Sequence, residues 1–186
     1  MKKLLLLILI FSISFTITSC ATRVLPDLGD VPRFMFTEHN GGVFGVQHLR
    51  GKISVVDFIF TNCPGICPTM TANMKELYEA YADSIHLQFV SISVDPDRDS
   101  LFVLQKYALA QRVYDDRWKF LRAPIEEVVK LSEDGFKLAA DDLPGGHSNK
   151  FALVDEDGQI RAYHDGTSND LKPIRADIDM LLREAY

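Results

Sequence analysis

The run Ile53-Ser54-Val55-Val56-Asp57-Phe58-Ile59-Phe60-Thr61-Asn62-Cys63-Pro64-Gly65-Ile66-Cys67-Pro68 decides the fold. Its first eight residues are apolar except for Ser54 and Asp57, the near-continuous character of a central strand covered on both faces. After Pro68, apolar residues recur at Met70, Met74, Leu77, Tyr78 and Tyr81, a helical stripe. Two thiols therefore sit where a buried strand hands over to a helix. At a helix N-terminus, unpaired N–H groups and the positive end of the dipole favour the thiolate, the form that attacks disulfides and binds metals.

The spacing Cys63-x-x-x-Cys67 is one residue longer than the redox motif Cys-x-x-Cys. Positions i and i+4 of a regular helix hold their Cβ atoms about 5–6 Å apart, whereas a relaxed disulfide wants about 3.5–4.5 Å. A bridge thus requires local adjustment. Two thiolates converging on one soft metal ion tolerate the separation, and thiolates select Cu(I) and Zn over hard cations. A structural disulfide in an exported protein is the plainer alternative.

The chain has 186 residues, 47% hydrophobic and 25% charged, which suits one globular domain with a short extension. The extension opens with Met1-Lys2-Lys3, continues as the apolar run 4–11, and reaches Cys20 through the small-residue stretch 12–19. Its apolar core is short for a membrane span. The pattern resembles a bacterial lipoprotein signal, with residues 1–19 removed and Cys20 lipidated, although Ile17 and Ser19 stand where Leu and Gly or Ala are usual. An uncleaved N-terminal anchor is the alternative. Either reading puts the domain in the cell envelope, membrane-anchored and facing the periplasm or cell exterior, and takes Cys20 out of the pool of reactive thiols. Residues 20–31 then read as a tether without structure and 32–186 as the domain. Leaving out residues 1–19, which carry Lys2 and Lys3 and no acid, takes the net charge from −6 to −8. So acidic a domain argues against nucleic acid as a partner.

Taken in order, 33–37 and 43–46 flank an Asn40-Gly41 turn signal, a hairpin. Strand 53–60, helix 68–84, strand 86–94 and helix 100–113 follow, the last capped by Asp99 or Ser100. Residues 118–121 read as a short strand, and Pro124 opens a helix to about residue 136. A breaker-rich loop over 141–149 leads to strands 150–154 and 159–163, joined at Asp157-Gly158, and to a closing helix over 170–186. Alternating strands and helices followed by a hairpin and a helix predict an α/β, thioredoxin-like sandwich with an N-terminal β-hairpin extension. Sites in such open sheets lie beyond the carboxyl ends of the strands, where Cys63 and the loop after 86–94 both fall.

Two thiolates leave a soft metal under-coordinated, so a histidine is sought. His39, His48, His86 and His164 stand at turns or strand ends and read as surface or edge residues. His147 sits in the breaker-rich loop, after two glycines and before a strand, where a side chain can be aimed at a site. Met70 and Met74 are possible thioether ligands, but their fit to the stripe with Leu77 and Tyr78 favours core packing.

The chain resembles the Sco/SenC family, thioredoxin-fold copper proteins required for cytochrome c oxidase assembly. The segment 60–68 is similar to the family's Cys-Pro-x-x-Cys-Pro core, Ser93-Val94-Asp95-Pro96-Asp97-Arg98-Asp99 to its second signature, and His147-Ser148 to its late His-Ser. The resemblance implies copper, as Cu(I) or Cu(II), held by Cys63, Cys67 and His147. It implies as partners the oxidase subunit carrying the copper A site and other periplasmic thiol or copper proteins. Many members place an acidic residue just before the histidine, where this chain has Gly146. Asp57, a carboxylate within an apolar strand, is costly to bury unless partnered; it resembles the buried Asp of thioredoxins, which handles protons during thiol exchange, with a sheet-edge hydrogen bond as the alternative. Asp95 is a candidate for steadying the site from behind its ligands, although turn chemistry also explains Asp-Pro. The rival function is an extracytoplasmic thiol-disulfide oxidoreductase using Cys63 and Cys67 without an obligatory metal. A thiol peroxidase would need a Thr-x-x-Cys context, which Ile59-Phe60-Thr61-Asn62-Cys63 does not supply.

Overall fold

A computed structural model describes residues 24–186; the expected signal over 1–19 and the lipidation of Cys20 lie outside the described residues. Seven strands form one sheet: β1 (Met35–Glu38), β2 (Val43–Gly45), β3 (Ile53–Ile59), β4 (Leu87–Ser93), β5 (Trp118–Arg122), β6 (Lys150–Val154) and β7 (Ile160–Asp165). Four helices accompany them: α1 (Cys67–Ala80), α2 (Leu101–Ala110), α3 (Ile125–Lys130) and α4 (Lys172–Ala185).

The spatial order is β2-β1-β5-β4-β3-β6-β7. Strands β3, β4 and β5 run parallel, joined by crossovers through α1 and α2, and β6 pairs antiparallel with β3. Every residue of β3 and β4 is buried, as a strand covered on both faces requires. The largest buried side chains are Trp118 and Phe58, Phe89, Phe120, Phe136 and Phe151. Each such aromatic contributes about 1.5–3 kcal/mol by leaving water, and Trp118 stacks on Phe120 at 5.1 Å between centroids. This is the thioredoxin-like sandwich anticipated above.

Four departures from the sequence reading are local. The N-terminal hairpin extends the main sheet, because β1 pairs antiparallel with β5 through Thr37–Arg122 and Glu38–Leu121. Helix α1 ends at Ala80, before the expected 84, since Tyr81 leaves helical geometry and its hydroxyl bonds the Asp179 carboxylate at 2.8 Å. Helix α2 ends at Ala110 and not 113, with Arg112 at φ +62 turning the chain away. The expected free tether is ordered in its later half: Leu25 and Val31 are buried, and the Leu28 and Val31 N–H groups bond the Ile160 and Gly158 carbonyls at 2.8 and 3.0 Å. The turn that receives it needs Gly158, whose φ is +86.

Candidate metal centre

Strand β3 carries the chain out of the core, and the turn after it delivers Cys63, half-buried, and then Cys67 as the first residue of α1. The loop 141–149 returns His147 to the same place. An isolated bridge pairs His147 with Ala140, and the ring of Phe60 meets the imidazole edge to face at 5.6 Å. Nε2 of His147 lies 3.1 Å from the Cys67 sulfur, and Nδ1 lies 3.0 Å from the Ser148 carbonyl oxygen. A carbonyl only accepts, so Nδ1 carries the proton and Nε2 turns its lone pair to the sulfur. The donor atoms of Cys63, Cys67 and His147 all lie within 4.8 Å of one another, so one ion could meet all three.

The two thiols differ in electrostatic setting. Burial alone would raise Cys63, but its interaction with the Cys67 side chain and hydrogen bonds from the N–H groups of Cys67, Gly65 and Ile66 outweigh it and bring the thiol below its ordinary value. These are the unpaired N–H groups of the helix start, as anticipated. Cys67 departs from the expectation that the helix start favours both thiolates: it is 1% exposed, and its burial, followed by its interaction with Cys63, pushes it up to about 12. His147 is held below its ordinary value by burial, against the opposing pull of the Ser148 and Phe58 carbonyls. An imidazole kept neutral and two thiols of unequal acidity make a soft donor set, open on the Cys63 side to a cleft of about 460 Å³.

Asp57 is fully buried in mid-strand, with no donor within hydrogen-bonding distance of either oxygen. The Ser91 hydroxyl, its register partner on β4, gives a weaker contact, and Trp118 Nε1 donates to that same hydroxyl at 2.9 Å. Burial raises Asp57 to about 7. Asp95 pairs with Arg98 at 3.0 Å. The carboxylate that reaches the thiol-bearing turn belongs to Asp99, which accepts from the Thr61 N–H and hydroxyl; in the sequence it stands as a candidate cap of α2 and as the last residue of the second signature, not as a site residue. Met70 and Met74 are core residues with no exposed surface. Neither His39, His48, His86 nor His164 joins the donor cluster; His164 pairs with Asp177 at 3.1 Å.

A family model for SCO1/SenC matches residues 28–183. The chain belongs to the SCO1/SenC family. Among solved relatives, a SCO1/SenC family lipoprotein from Bacillus anthracis is 37% identical, with a TM-score of 0.73 over 82% of this chain and 95% of that one. BsSco, described as having a disulfide switch and as a member of the Sco family of cytochrome c oxidase assembly proteins, is 30% identical, with a TM-score of 0.76 over 87% and 97%. Yeast Sco1 with copper bound is 27% identical, with a TM-score of 0.65 over 85% and 90%.

Proposed function

We propose that this SCO1/SenC protein binds one copper ion through Cys63, Cys67 and His147. It then delivers that copper to, or reduces the cysteine pair to thiols at, the copper A site of a respiratory cytochrome c oxidase. The observation that carries the reading is the convergence of two thiols and one imidazole lone pair within 4.8 Å. Soft thiolates with an imidazole suit copper, copper is bound in the yeast relative, and oxidase assembly is the role of the family to which BsSco belongs.

The unequal thiols fit a handover. Cys67 and His147 grip from inside, while half-exposed Cys63 is the donor that an incoming client thiolate can reach and replace. The same asymmetry serves thiol reduction. The Cys63 thiolate attacks one sulfur of a client disulfide and expels the other; Cys67 then attacks the Cys63 sulfur. The client leaves as a dithiol, and a Cys63–Cys67 disulfide remains.

Anaerobic copper titration of reduced wild type and His147→Ala tests the metal reading. Wild type should bind one equivalent, and the variant should lose at least about tenfold in affinity, roughly 1.4 kcal/mol, together with its Cu(II)-thiolate absorption. Unchanged copper binding with collapsed reductase turnover would instead make His147 an acid-base group beside the thiols and put the oxidoreductase first.

Among the described residues no helix is long and apolar enough to cross a membrane. We assign the membrane attachment to a lipid on Cys20, as the order Lys2-Lys3, apolar run, Cys20 suggests, and the Bacillus anthracis relative is a lipoprotein. Labelled fatty acid should enter wild type and not Cys20→Ala; equal labelling of both sinks the assignment.

A further inference from the structure

We infer that Asp99 is the positioning residue of the copper site, fixing through Thr61 where Cys63 stands relative to Cys67 and His147. This deepens the copper reading and rests on it.

Asp99 is 1% exposed and precedes α2. Oδ1 accepts from the Thr61 hydroxyl at 2.5 Å, and Oδ2 accepts from the Thr61 N–H at 3.2 Å and the Ser93 hydroxyl at 2.6 Å. A buried carboxylate is costly unless such bonds satisfy it. Here two of the three come from a single residue of the thiol-bearing turn, and no ion pair to Asp99 is found among the described residues. The acceptor itself cannot drift. Its N–H bonds the Asp95 carbonyl at 2.8 Å, the neighbouring Val94 N–H bonds the Ile59 carbonyl at 2.8 Å, and the Arg122 guanidinium bonds the Pro96 carbonyl at 3.0 Å. The loop from β4 to α2 is thus tied to β3 and β5 before it reaches out to Thr61.

What Thr61 holds decides the consequence. It stands two residues before Cys63, and its other neighbour, Phe60, lays its ring against His147. A clamp on Thr61 therefore bears on both the half-buried thiol and the imidazole. A helix cap would not need it, since Ser100 already caps α2 by accepting from the Val103 N–H. The choice of acid follows from counting: three donors converge, and a carboxylate offers only acceptors, whereas the amide of Asn would turn an N–H₂ group on one of them.

The test compares wild type with Thr61→Val, Asp99→Ala, Asp99→Asn and, as a control that loosens Asp99 without touching Thr61, Ser93→Ala. Each purified protein is read four ways: Cu(I) affinity by competition with bicinchoninate, the Cu(II)-thiolate absorption band, the Cys63–Cys67 midpoint potential in glutathione buffers, and the urea midpoint. Thr61→Val and Asp99→Ala should lose about tenfold to a hundredfold in copper affinity, as when a partner that orients a metal ligand is removed. Both should also shift the band and the potential, with Ser93→Ala closer to wild type. Should Asp99→Ala fail to fold, Thr61→Val decides alone. A folded Thr61→Val with wild-type affinity, band and potential overturns the assignment, whatever happens to the urea midpoints. If wild type itself takes up no copper, the ligand reading of Cys63, Cys67 and His147 fails separately. The potential then decides: a shift in Thr61→Val upholds Asp99 as the positioning residue, and an unchanged value overturns it.

Discussion

Asp57→Asn asks whether a carboxyl group in the centre of β3 is carried protonated at neutral pH. The group is fully buried, lacks a donor within hydrogen-bonding distance, and is raised by burial from 3.8 to about 7. Its folded value is above its unfolded one. The stability it permits is therefore fully present below about pH 4, where both states are protonated, and is lost as pH rises through about 7. A shift of roughly 3 units at about 1.36 kcal/mol each makes that loss about 4 kcal/mol at pH 8, a large share of a domain's usual 5–15 kcal/mol.

An amide at position 57 cannot ionise, so the variant escapes the loss. Urea denaturation of copper-free, reduced protein at pH 4 and pH 8 reads the effect. Between the two pH values, Asp57→Asn should gain about 4 kcal/mol on wild type; with a urea dependence of about 2 kcal/mol/M, that is a midpoint shift near 2 M. The pH-dependent difference is the quantity to trust, because repacking costs of the amide cancel in it. A difference between variant and wild type that does not change with pH would show that Asp57 is ionised in the fold, and the burial argument would be wrong.

Two further outcomes follow from the site. With Cys67 pushed up to about 12 and Cys63 below its ordinary value, iodoacetamide at pH 8 should label Cys63 and leave Cys67 nearly untouched, since the Cys67 thiolate fraction is on the order of 10⁻⁴ against roughly 0.2 for an ordinary thiol; equal labelling by mass spectrometry refutes the asymmetry. A Cβ at Gly146 would stand 1.8 Å from the Asp141 carbonyl oxygen, so Gly146→Ala must displace the loop that carries His147. It should cost about 1–3 kcal/mol of stability and weaken copper binding, and wild-type values for both would show the loop to be more yielding than its packing implies.

The Gly146 contact also explains a departure from the family pattern. An acidic residue before the histidine cannot be seated here without moving backbone, so the imidazole is oriented by the Ser148 carbonyl and the Phe60 ring instead. From the sequence, Gly146 shows only that a carboxylate is missing; what replaces it depends on contacts made after folding. Cys63 and Cys67 are legible because their spacing and the apolar run before them are local, and Asp57 because a charge in such a run stands out. Asp99 is not legible as a partner of the site. Thr61 is far from it along the chain, and locally Asp99 reads as the start of α2, a role Ser100 fills. Position 95 attracts notice through Asp-Pro, yet its side chain is spent on Arg98. The sheet shows the same division. Hairpin signals place β1 beside β2, but the pairing of β1 with β5 and the docking of 25–31 beside Gly158 and Ile160 are tertiary and leave no period in the sequence.

The division of labour within the site determines which perturbation separates the two functions proposed for it. In the proposed scheme, copper handover and disulfide reduction both begin at Cys63, the half-exposed sulfur facing the helix N–H groups, and both need Cys67 to finish. Removing either cysteine should therefore abolish both activities and would distinguish nothing. His147 is different, because Nδ1 is committed to the Ser148 carbonyl and Nε2 points at the Cys67 sulfur. A dithiol can form its disulfide without that lone pair, whereas a copper ion held by two sulfurs and one nitrogen loses a third of its protein donors. The burial that keeps His147 neutral keeps that lone pair available into mildly acidic solution, where an ordinary histidine would begin to take up a proton. For a protein whose task is to hold copper this is a useful shift, and for one that only exchanges thiols it has no evident use.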